Sequence, residues 1–175
     1  LNTNYVLKYN KELEELVSGY KKIESIKINP TINKILRPFQ KEGVKWLLGL
    51  DSLTINGILA DDMGLGKTIQ TIMLLKTLYK NNNSLPPTII IMPKTLLFNW
   101  QNELQKFSPE LKVIRYDGSK RKKLIPNFNE YNIILSSYAS IRIDIKELSK
   151  IQFNYTVLDE AQYIKNHTTN TFKGF

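Results

Sequence analysis

The chain has 175 residues, of which 42% are hydrophobic and 23% are charged, and it contains no cysteine. This length and composition are typical of one soluble globular domain with a sizeable core, and the lack of thiols excludes disulfides and thiolate metal sites. The sequence contains neither an apolar run long enough to span a membrane nor a secretory signal pattern. The net charge of +9, from 25 Lys and Arg against 16 Asp and Glu, suits a polyanionic partner, although a lysine-rich proteome would produce the same charge.

The first thirty residues predict an amphipathic helix in an N-terminal extension. Apolar residues recur there at helical spacing between lysines and glutamates, and Asn29-Pro30 is typical of a boundary, because the residue before proline avoids the helical conformation. We expect residues 1–30 to be a helical extension and residues 31–175 to form the main domain. The chain begins with Leu1 and not with Met, which suggests that it is part of a longer protein.

A second helix is predicted to begin at Pro38, which suits the first turn of a helix. Its apolar side includes Phe39, Trp46 and Leu50. Gln40 lies near the start of this helix, and its amide could both donate to and accept from a purine edge. A glutamine that only faces solvent is the alternative interpretation.

Residues 57–68 predict a strand, a glycine loop and the start of a helix, in that order. The short apolar run 58–60 leads into Gly-Leu-Gly-Lys-Thr, and helical spacing of apolar residues follows. Glycines let backbone N–H groups turn inward around an anion, and the helix that follows offers its own unpaired N–H groups. Lys67 and Thr68 then suit the outer phosphates of a nucleotide and a magnesium ion. Asp61 stands where the generic phosphate-binding pattern has a further glycine, so a chance glycine turn is the alternative.

The rest of the chain alternates predicted strands with predicted helices. The strands are predicted at 88–92, 113–116, 131–137 and 153–158, and the helices at 94–107 and 138–150. Strands that are almost entirely apolar are typical of a parallel sheet that helices cover on both faces. We therefore predict an α/β fold with three layers. The basic cluster at 119–123 is interpreted as a solvated face, and His167 as a surface residue.

Two acidic residues, Asp159 and Glu160, follow the last predicted strand. Because the carboxyl ends of parallel strands share one edge of the sheet, and ligands bind at that edge, the first carboxylate could hold Mg²⁺ through its water shell, opposite Thr68. The second could orient or deprotonate an attacking water. The cost of placing two acids beside the glycine loop is offset only if a cation lies between them.

With these motifs together, the chain resembles the first RecA-like lobe of the helicase superfamily two ATPases, and more narrowly the Swi/Snf-type double-stranded DNA translocases. The resemblance runs from about residue 35 to residue 170, and the Asp-Asp-Met-Gly-Leu-Gly-Lys-Thr form that it includes accounts for Asp61. The residues that carry it are 36–40, 61–70, 93–100, 116–118, 136–138 and 159–166. The Asp-Glu-Ala-Gln sequence differs from the Asp-Glu-Gly-His of many chromatin remodellers, which argues against a remodelling role and favours a prokaryotic relative.

The resemblance implies a P-loop NTPase lobe that binds ATP and Mg²⁺ and moves along double-stranded DNA. It implies that Gln40 reads adenine, that Lys67 holds the β- and γ-phosphates, that Thr68 and Asp159 hold Mg²⁺, that Glu160 activates water and that Gln162 links the site to a second lobe. The remaining residues of the phosphate cradle would be Met63, Gly64, Leu65 and Gly66. The residues along the DNA backbone would be Lys94, Asn99, Ser136, Ser137 and Tyr138.

The resemblance also implies parts that the sequence does not include, namely a second RecA-like lobe of the same full-length chain and a strand that follows Asp159-Glu160. We therefore expect a C-terminally truncated lobe whose isolated form hydrolyses ATP barely, and which is either poorly stable or exchanges a strand with a partner. An RNA helicase lobe, a restriction-enzyme motor lobe and a non-catalytic nucleotide-dependent interaction module are the alternatives. No membrane partner is expected, and the location would be the cytoplasm and nucleoid of a prokaryote or the nucleus of a eukaryote.

Overall fold

The structure is a computed structural model that describes residues 34–164. The chain divides into two compact units, one ending at Leu74 and the other beginning at Leu75. Helix α1 (Pro38–Ser52) lies in the first unit, whereas helix α2 (Lys67–Asn81) begins in the first and ends in the second. The helix predicted within residues 1–30 lies outside the described residues, as does His167. In the described part of the chain, no helix is both long and apolar enough to cross a membrane.

The second unit contains a four-stranded parallel sheet, which confirms the predicted fold class. The strands lie in the order β2-β3-β1-β4, and every neighbouring pair is parallel. They are β1 (Thr88–Met92), β2 (Val113–Tyr116), β3 (Ile133–Ser137) and β4 (Thr156–Leu158). Around them lie the helices α3 (Leu97–Phe107) and α4 (Tyr138–Leu148) and the 3₁₀ segments Lys94–Leu96, Arg121–Glu130 and Ala161–Ile164.

The apolar run of β1 is buried on both faces of the sheet. Ile89 and Ile91 belong to one core cluster with Ile141 of α4. Because side chains alternate along a strand, Ile90 and Met92 point to the opposite face, where both are fully buried. A strand with this burial on both faces belongs in the middle of a covered sheet, as the continuous apolar sequence predicted.

The carboxyl ends of three strands meet at one edge of this sheet. Met92 of β1 is in register with Ser137 of β3, and the backbone N–H of Asp159, just after β4, donates to the carbonyl of Ile91 at 2.9 Å. The helices α3 and α4 begin close behind β1 and β3. The structure therefore brings the acidic pair and the starts of two helices to the same edge.

The strand predicted at residues 58–60 does not form, so that prediction is wrong. Residues 55–60 have no regular secondary structure, and the Ile58 side chain is 85% exposed. A three-residue apolar run becomes a strand only where a neighbouring strand pairs with its backbone groups. The apolar composition predicted a buried strand, and the structure shows neither the burial nor the pairing.

The basic cluster at 119–123 is only partly a solvated face, which corrects its interpretation from the sequence. The Arg121 side chain is 14% exposed and donates from Nε to Asp144 Oδ2 at 2.5 Å. Asp144 is fully buried, also accepts from Tyr116 Oη at 2.9 Å, and has Lys122 Nζ at 3.2 Å from its other oxygen. The backbone of Asp144 departs from helical geometry inside α4 (φ −108°, ψ 18°). Two basic side chains of the cluster, those of Arg121 and Lys122, are thus paired with the buried carboxylate of Asp144.

Candidate nucleotide site and nucleic-acid interface

The glycine loop in the first unit has the backbone conformation that its sequence predicted. Gly64 and Gly66 have φ values of 82° and 81°, which residues with a Cβ rarely adopt. The φ value favours glycine at Gly66, and a Cβ there would also lie 2.5 Å from Gln40 Nε2, so the Gln40 amide would have to move. Met63 is 91% exposed, so it can contribute its backbone to the loop but adds little packing.

Lys67 lies at the first turn of α2 and folds over the loop. Its Nζ donates to the carbonyl oxygens of Asp61 at 2.7 Å and Asp62 at 3.1 Å. The ammonium group therefore sits at the loop and not in free solvent. A positive charge beside glycines with left-handed backbone is the arrangement that phosphate binding requires.

Asp61 and Gln70 form a support under this loop. Gln70 is 1% exposed and donates from Nε2 to Asp61 Oδ2 at 3.1 Å. Gln70 Oε1 lies so close to Gly43 of α1 that a Cβ at Gly43 would stand 1.9 Å from it. The carboxylate of Asp61 is thus fixed by α2 while its carbonyl accepts from Lys67.

Gln40 is buried, so the alternative of a solvated glutamine is wrong. Its Oε1 accepts from the backbone N–H of Arg37 and its Nε2 donates to the carbonyl of Leu65, both at 3.0 Å. The side chain therefore joins the start of α1 to the glycine loop. Its predicted contact with adenine stays a prediction, and it would have to replace or share these two bonds.

Asp159 in the second unit is held by hydrogen bonds at every oxygen. Trp100 Nε1 donates to Oδ2 at 2.7 Å, the backbone N–H of Glu160 donates to Oδ1 at 3.0 Å, and Tyr138 Oη donates to the Asp159 carbonyl at 2.8 Å. The carboxylate therefore has one orientation, set by Trp100 of α3 and by the backbone N–H of Glu160, while Tyr138 of α4 holds the backbone carbonyl.

Glu160 has a left-handed backbone, with φ of 53°. This conformation is costly for a residue with a Cβ, and such residues cluster at functional sites. Gln162 Nε2 donates to Glu160 Oε2. The predicted link from Gln162 to a second lobe stays a prediction, and in this structure the amide contacts the neighbouring carboxylate.

The Tyr138 hydroxyl, which donates to the Asp159 carbonyl, keeps its proton at neutral pH. Burial raises its pKa to about 12, and the negative charges of Asp159 and Glu160 add to the shift. Its ring stacks on Tyr163 with the centroids 6.0 Å apart and the planes at 6°. The phenol thus stays protonated throughout the neutral range.

Of the residues predicted to lie along DNA, only Lys94 and Asn99 are exposed. The side chain of Lys94 is 71% exposed, and its Nζ lies 3.4 Å from Asp117 Oδ2. Ser136 is fully buried and donates to the carbonyl of Tyr116, while the Ser137 hydroxyl caps α4 by accepting from the Ser140 N–H at 3.2 Å.

The two serine hydroxyls and the Tyr138 hydroxyl thus have structural partners. Their contact with DNA stays a prediction that would require these bonds to break.

Each unit, taken by itself, contains groups that suit part of the predicted nucleotide site. In the first unit, the glycine loop and Lys67 suit the phosphates and Thr68 provides a hydroxyl, and in the second unit Asp159 provides a carboxylate. Magnesium in nucleotide sites is commonly held by one or two such groups together with the phosphates. Within residues 34–164, no cluster of three or more His, Cys, Asp or Glu residues could hold a metal by itself.

The hydrogen bonds of Trp100, Asp61 and Gln70 were not predicted from the sequence, although all three residues lie in the segments 61–70 and 93–100 that carry the family resemblance. A signal was available, because a buried indole N–H needs an acceptor, and Asp159 is a side chain that can supply one. No such signal connects Asp61 to Gln70, because either could face solvent in a sequence pattern.

Comparison with known proteins matches residues 39–174 to the SNF2-related domain. The chain is 44% identical over 146 residues to an uncharacterized ATP-dependent helicase of Mycoplasma genitalium, covering 83% of this chain and 14% of that protein. It is 39% identical over 172 residues to the TATA-binding protein-associated factor mot1 of Schizosaccharomyces pombe, covering 91% of this chain and 9% of that one.

Among solved structures, the SWI2/SNF2 ATPase core of Sulfolobus solfataricus in complex with double-stranded DNA matches with a TM-score of 0.72 and 41% identity. The match covers 79% of this chain and 29% of the archaeal one. The chain thus spans less than a third of each of these relatives. The extent of the domain match, the identities and the shared fold lead to one conclusion: the chain belongs to the SNF2-related domain family.

Proposed function

We propose that this chain is the nucleotide-binding part of an ATP-dependent motor that translocates on double-stranded DNA. The observation that carries the proposal is the glycine loop, in which two left-handed glycines lie beside the Lys67 ammonium. Its family membership supports ATP as the nucleotide. The relative from Sulfolobus solfataricus in complex with double-stranded DNA supports duplex DNA as the partner.

In this proposal, Lys67 and the loop N–H groups bind the phosphates, and Thr68 and Asp159 hold Mg²⁺. Bound magnesium would neutralise charge on the transferring phosphoryl group. Glu160 accepts a proton from, or orients, the attacking water. The fixed carboxylate of Asp159 supports this assignment, because a ligand held in one orientation loses little entropy when the ion binds.

We further propose that turnover requires a second lobe of the full-length protein. An arginine from a second element stabilises the transition state in many NTPases and contributes several orders of magnitude in rate. The relatives of this chain are much longer than it is, so an element that carries such an arginine could lie in the additional residues of a full-length protein. Gln162, which is exposed beside Glu160, is the side chain that we assign to this contact.

The first test is a titration of Mg·ATP into the 175-residue chain by calorimetry. Lys67→Ala should weaken binding at least about tenfold, because a charge-assisted hydrogen bond contributes roughly 1.5–3 kcal/mol. Lys80→Ala is the matched control, since it removes the same charge from the last turn of the same helix. Equal binding by all three chains would contradict the assignment of the loop.

The second test separates DNA from RNA in the full-length protein that carries this chain. Duplex DNA should stimulate ATP hydrolysis, and duplex or single-stranded RNA of the same length should not. Stimulation by RNA alone would favour an RNA helicase. Nucleotide binding with no hydrolysis under either condition would favour a non-catalytic interaction module.

A further inference from the structure

One buried indole fixes the orientation of the Asp159 carboxylate. Trp100 is 2% exposed, and its Nε1 lies 2.7 Å from Asp159 Oδ2. This separation is at the short end for an N–H···O bond, as expected when the acceptor is a carboxylate. The other carboxylate oxygen accepts from the Glu160 N–H. Rotation of the carboxylate would break both bonds, so Trp100 decides which lone pairs of Asp159 stay available.

Trp100 cannot move independently of helix α3. It lies one turn into the helix, between the buried side chains of Leu97 and Leu104. The residue that precedes it, Asn99, is exposed on the first turn, and Lys94 lies just ahead of the helix. A ligand that displaces this end of α3 therefore displaces the indole N–H as well.

We propose that Trp100 is a positioning residue that holds Asp159 in the orientation that binds Mg²⁺, and that it transmits displacement of the α3 N-terminus to that metal site. This inference rests on the proposed function, because it assumes that Asp159 holds Mg²⁺. Residues that hydrogen-bond to metal ligands set ligand orientation, and their substitution commonly lowers metal affinity 10–100-fold. The bond from Trp100 Nε1 to Asp159 is of this kind. Its donor is a neutral indole N–H, which does not compete with a cation for the negative charge of Asp159.

The test is the Mg²⁺ dependence of nucleotide binding in three chains. Trp100→Phe removes the N–H and keeps an aromatic ring, and Trp46→Phe is the matched control, because it removes the indole of the other tryptophan, which lies in α1. Calorimetry of ADP binding at a series of Mg²⁺ concentrations gives the metal affinity, and the same titration in EDTA gives the affinity without metal. We expect Trp100→Phe to weaken Mg²⁺ binding about tenfold, with the metal-free affinity for ADP unchanged.

Two results would overturn the inference, and they are distinguishable from each other. If the original chain binds ADP with no dependence on Mg²⁺, the proposed metal site fails, and this inference fails with it. If binding depends on Mg²⁺ and Trp100→Phe behaves like Trp46→Phe, the proposed function survives and the positioning role is refuted.

A second measurement leaves Trp100 unchanged, so that the inference can be tested even if Trp100→Phe does not fold. In the Trp46→Phe chain, Trp100 is the only tryptophan, so its emission reports on its own N–H partner. Adding Mg²⁺ to the ADP-bound chain should shift that emission, because the charge next to the indole changes. Constant emission during a Mg²⁺ titration that calorimetry shows to be saturating would refute the contact.

The link to α3 has its own readout, namely the effect of a 30-base-pair DNA duplex on the Mg²⁺ affinity. Coupling between two binding sites is reciprocal, so a duplex that binds near Asn99 should change the Mg²⁺ affinity of the Trp46→Phe chain. That change should shrink in Trp100→Phe. A duplex effect of equal size in both variants would show that the coupling does not pass through Trp100.

Discussion

Replacing Gly43 by alanine should destabilise the protein, although helix propensity alone predicts the opposite. Gly43 lies inside α1, where alanine is normally favoured over glycine by about 1 kcal/mol. In this structure, a Cβ on Gly43 would stand 1.9 Å from Gln70 Oε1 and 3.1 Å from Gln70 Cδ. The Gln70 amide must therefore move, and it then gives up its bond to Asp61.

The size of the effect follows from these two opposing contributions. Losing a hydrogen bond of a buried side chain costs about 1–3 kcal/mol, and the propensity gain offsets about 1 kcal/mol of that cost. We therefore expect Gly43→Ala to lower the free energy of unfolding by up to about 2 kcal/mol. In a chain that already carries Gln70→Ala, the clash is absent, and Gly43→Ala should raise the free energy of unfolding by about 1 kcal/mol.

Urea unfolding of the four chains, followed by circular dichroism, measures both steps of this double-mutant cycle. The decisive observation is a change of sign between the two backgrounds, since it does not depend on the absolute values. If Gly43→Ala stabilises the original chain as much as it stabilises Gln70→Ala, the close contact between Gly43 and Gln70 does not exist. The support that we describe for Asp61 and Lys67 would then have to be abandoned.

Three further outcomes follow from the second unit. Burial acts to raise the pKa of Asp144, but hydrogen bonds, led by the one from Arg121, lower the pKa overall. The stabilisation by ionised Asp144 is therefore complete above pH 3.8, the ordinary pKa of the group, and is lost as the pH falls through the lower pKa of the folded state. Asp144→Asn should reduce the loss of unfolding free energy at acid pH in pH-dependent unfolding, and an unchanged loss would contradict the pairing. Phe128, which is 1% exposed in the core, should cost about 3–5 kcal/mol when replaced by alanine, as measured by chemical unfolding, and a loss below 1 kcal/mol would contradict its packing. Lys94→Ala should weaken duplex binding equally for all sequences and reduce the slope of log affinity against log salt by roughly 1 in a salt titration. An unchanged slope would contradict a phosphate contact by Lys94 and would favour its pairing with Asp117 alone.

The strands of the second unit were predictable because their sequences allow few alternatives. Thr88–Met92 is almost entirely β-branched and Ile133–Ser137 begins with three consecutive apolar residues, and both form central strands of the sheet. The glycine loop was predictable for a similar reason, since only glycine readily adopts the φ values found at Gly64 and Gly66. In each case the backbone preference is local, so it can be recognised without knowledge of the partner.

The features that were not predicted depend on partners distant in sequence. Asp144 is buried only because Tyr116 and Arg121, which are 28 and 23 residues away, donate to it. Trp100 finds its acceptor 59 residues away. The run at 58–60 has the composition of a strand but not its hydrogen-bonded neighbour. Such pairings are properties of the fold, so no window of sequence contains them.

At Glu160, which has a left-handed backbone, selection for stability and selection for catalysis would favour different residues. A non-glycine residue held at φ of 53° costs about 1–3 kcal/mol, and glycine would remove most of that cost together with the carboxylate. A population selected only for folding would therefore gain by replacing this glutamate, whereas one selected for chemistry at this edge of the sheet must keep it. If Glu160 has the proposed role of activating water, its conformation therefore lowers stability at the same residue that catalysis requires.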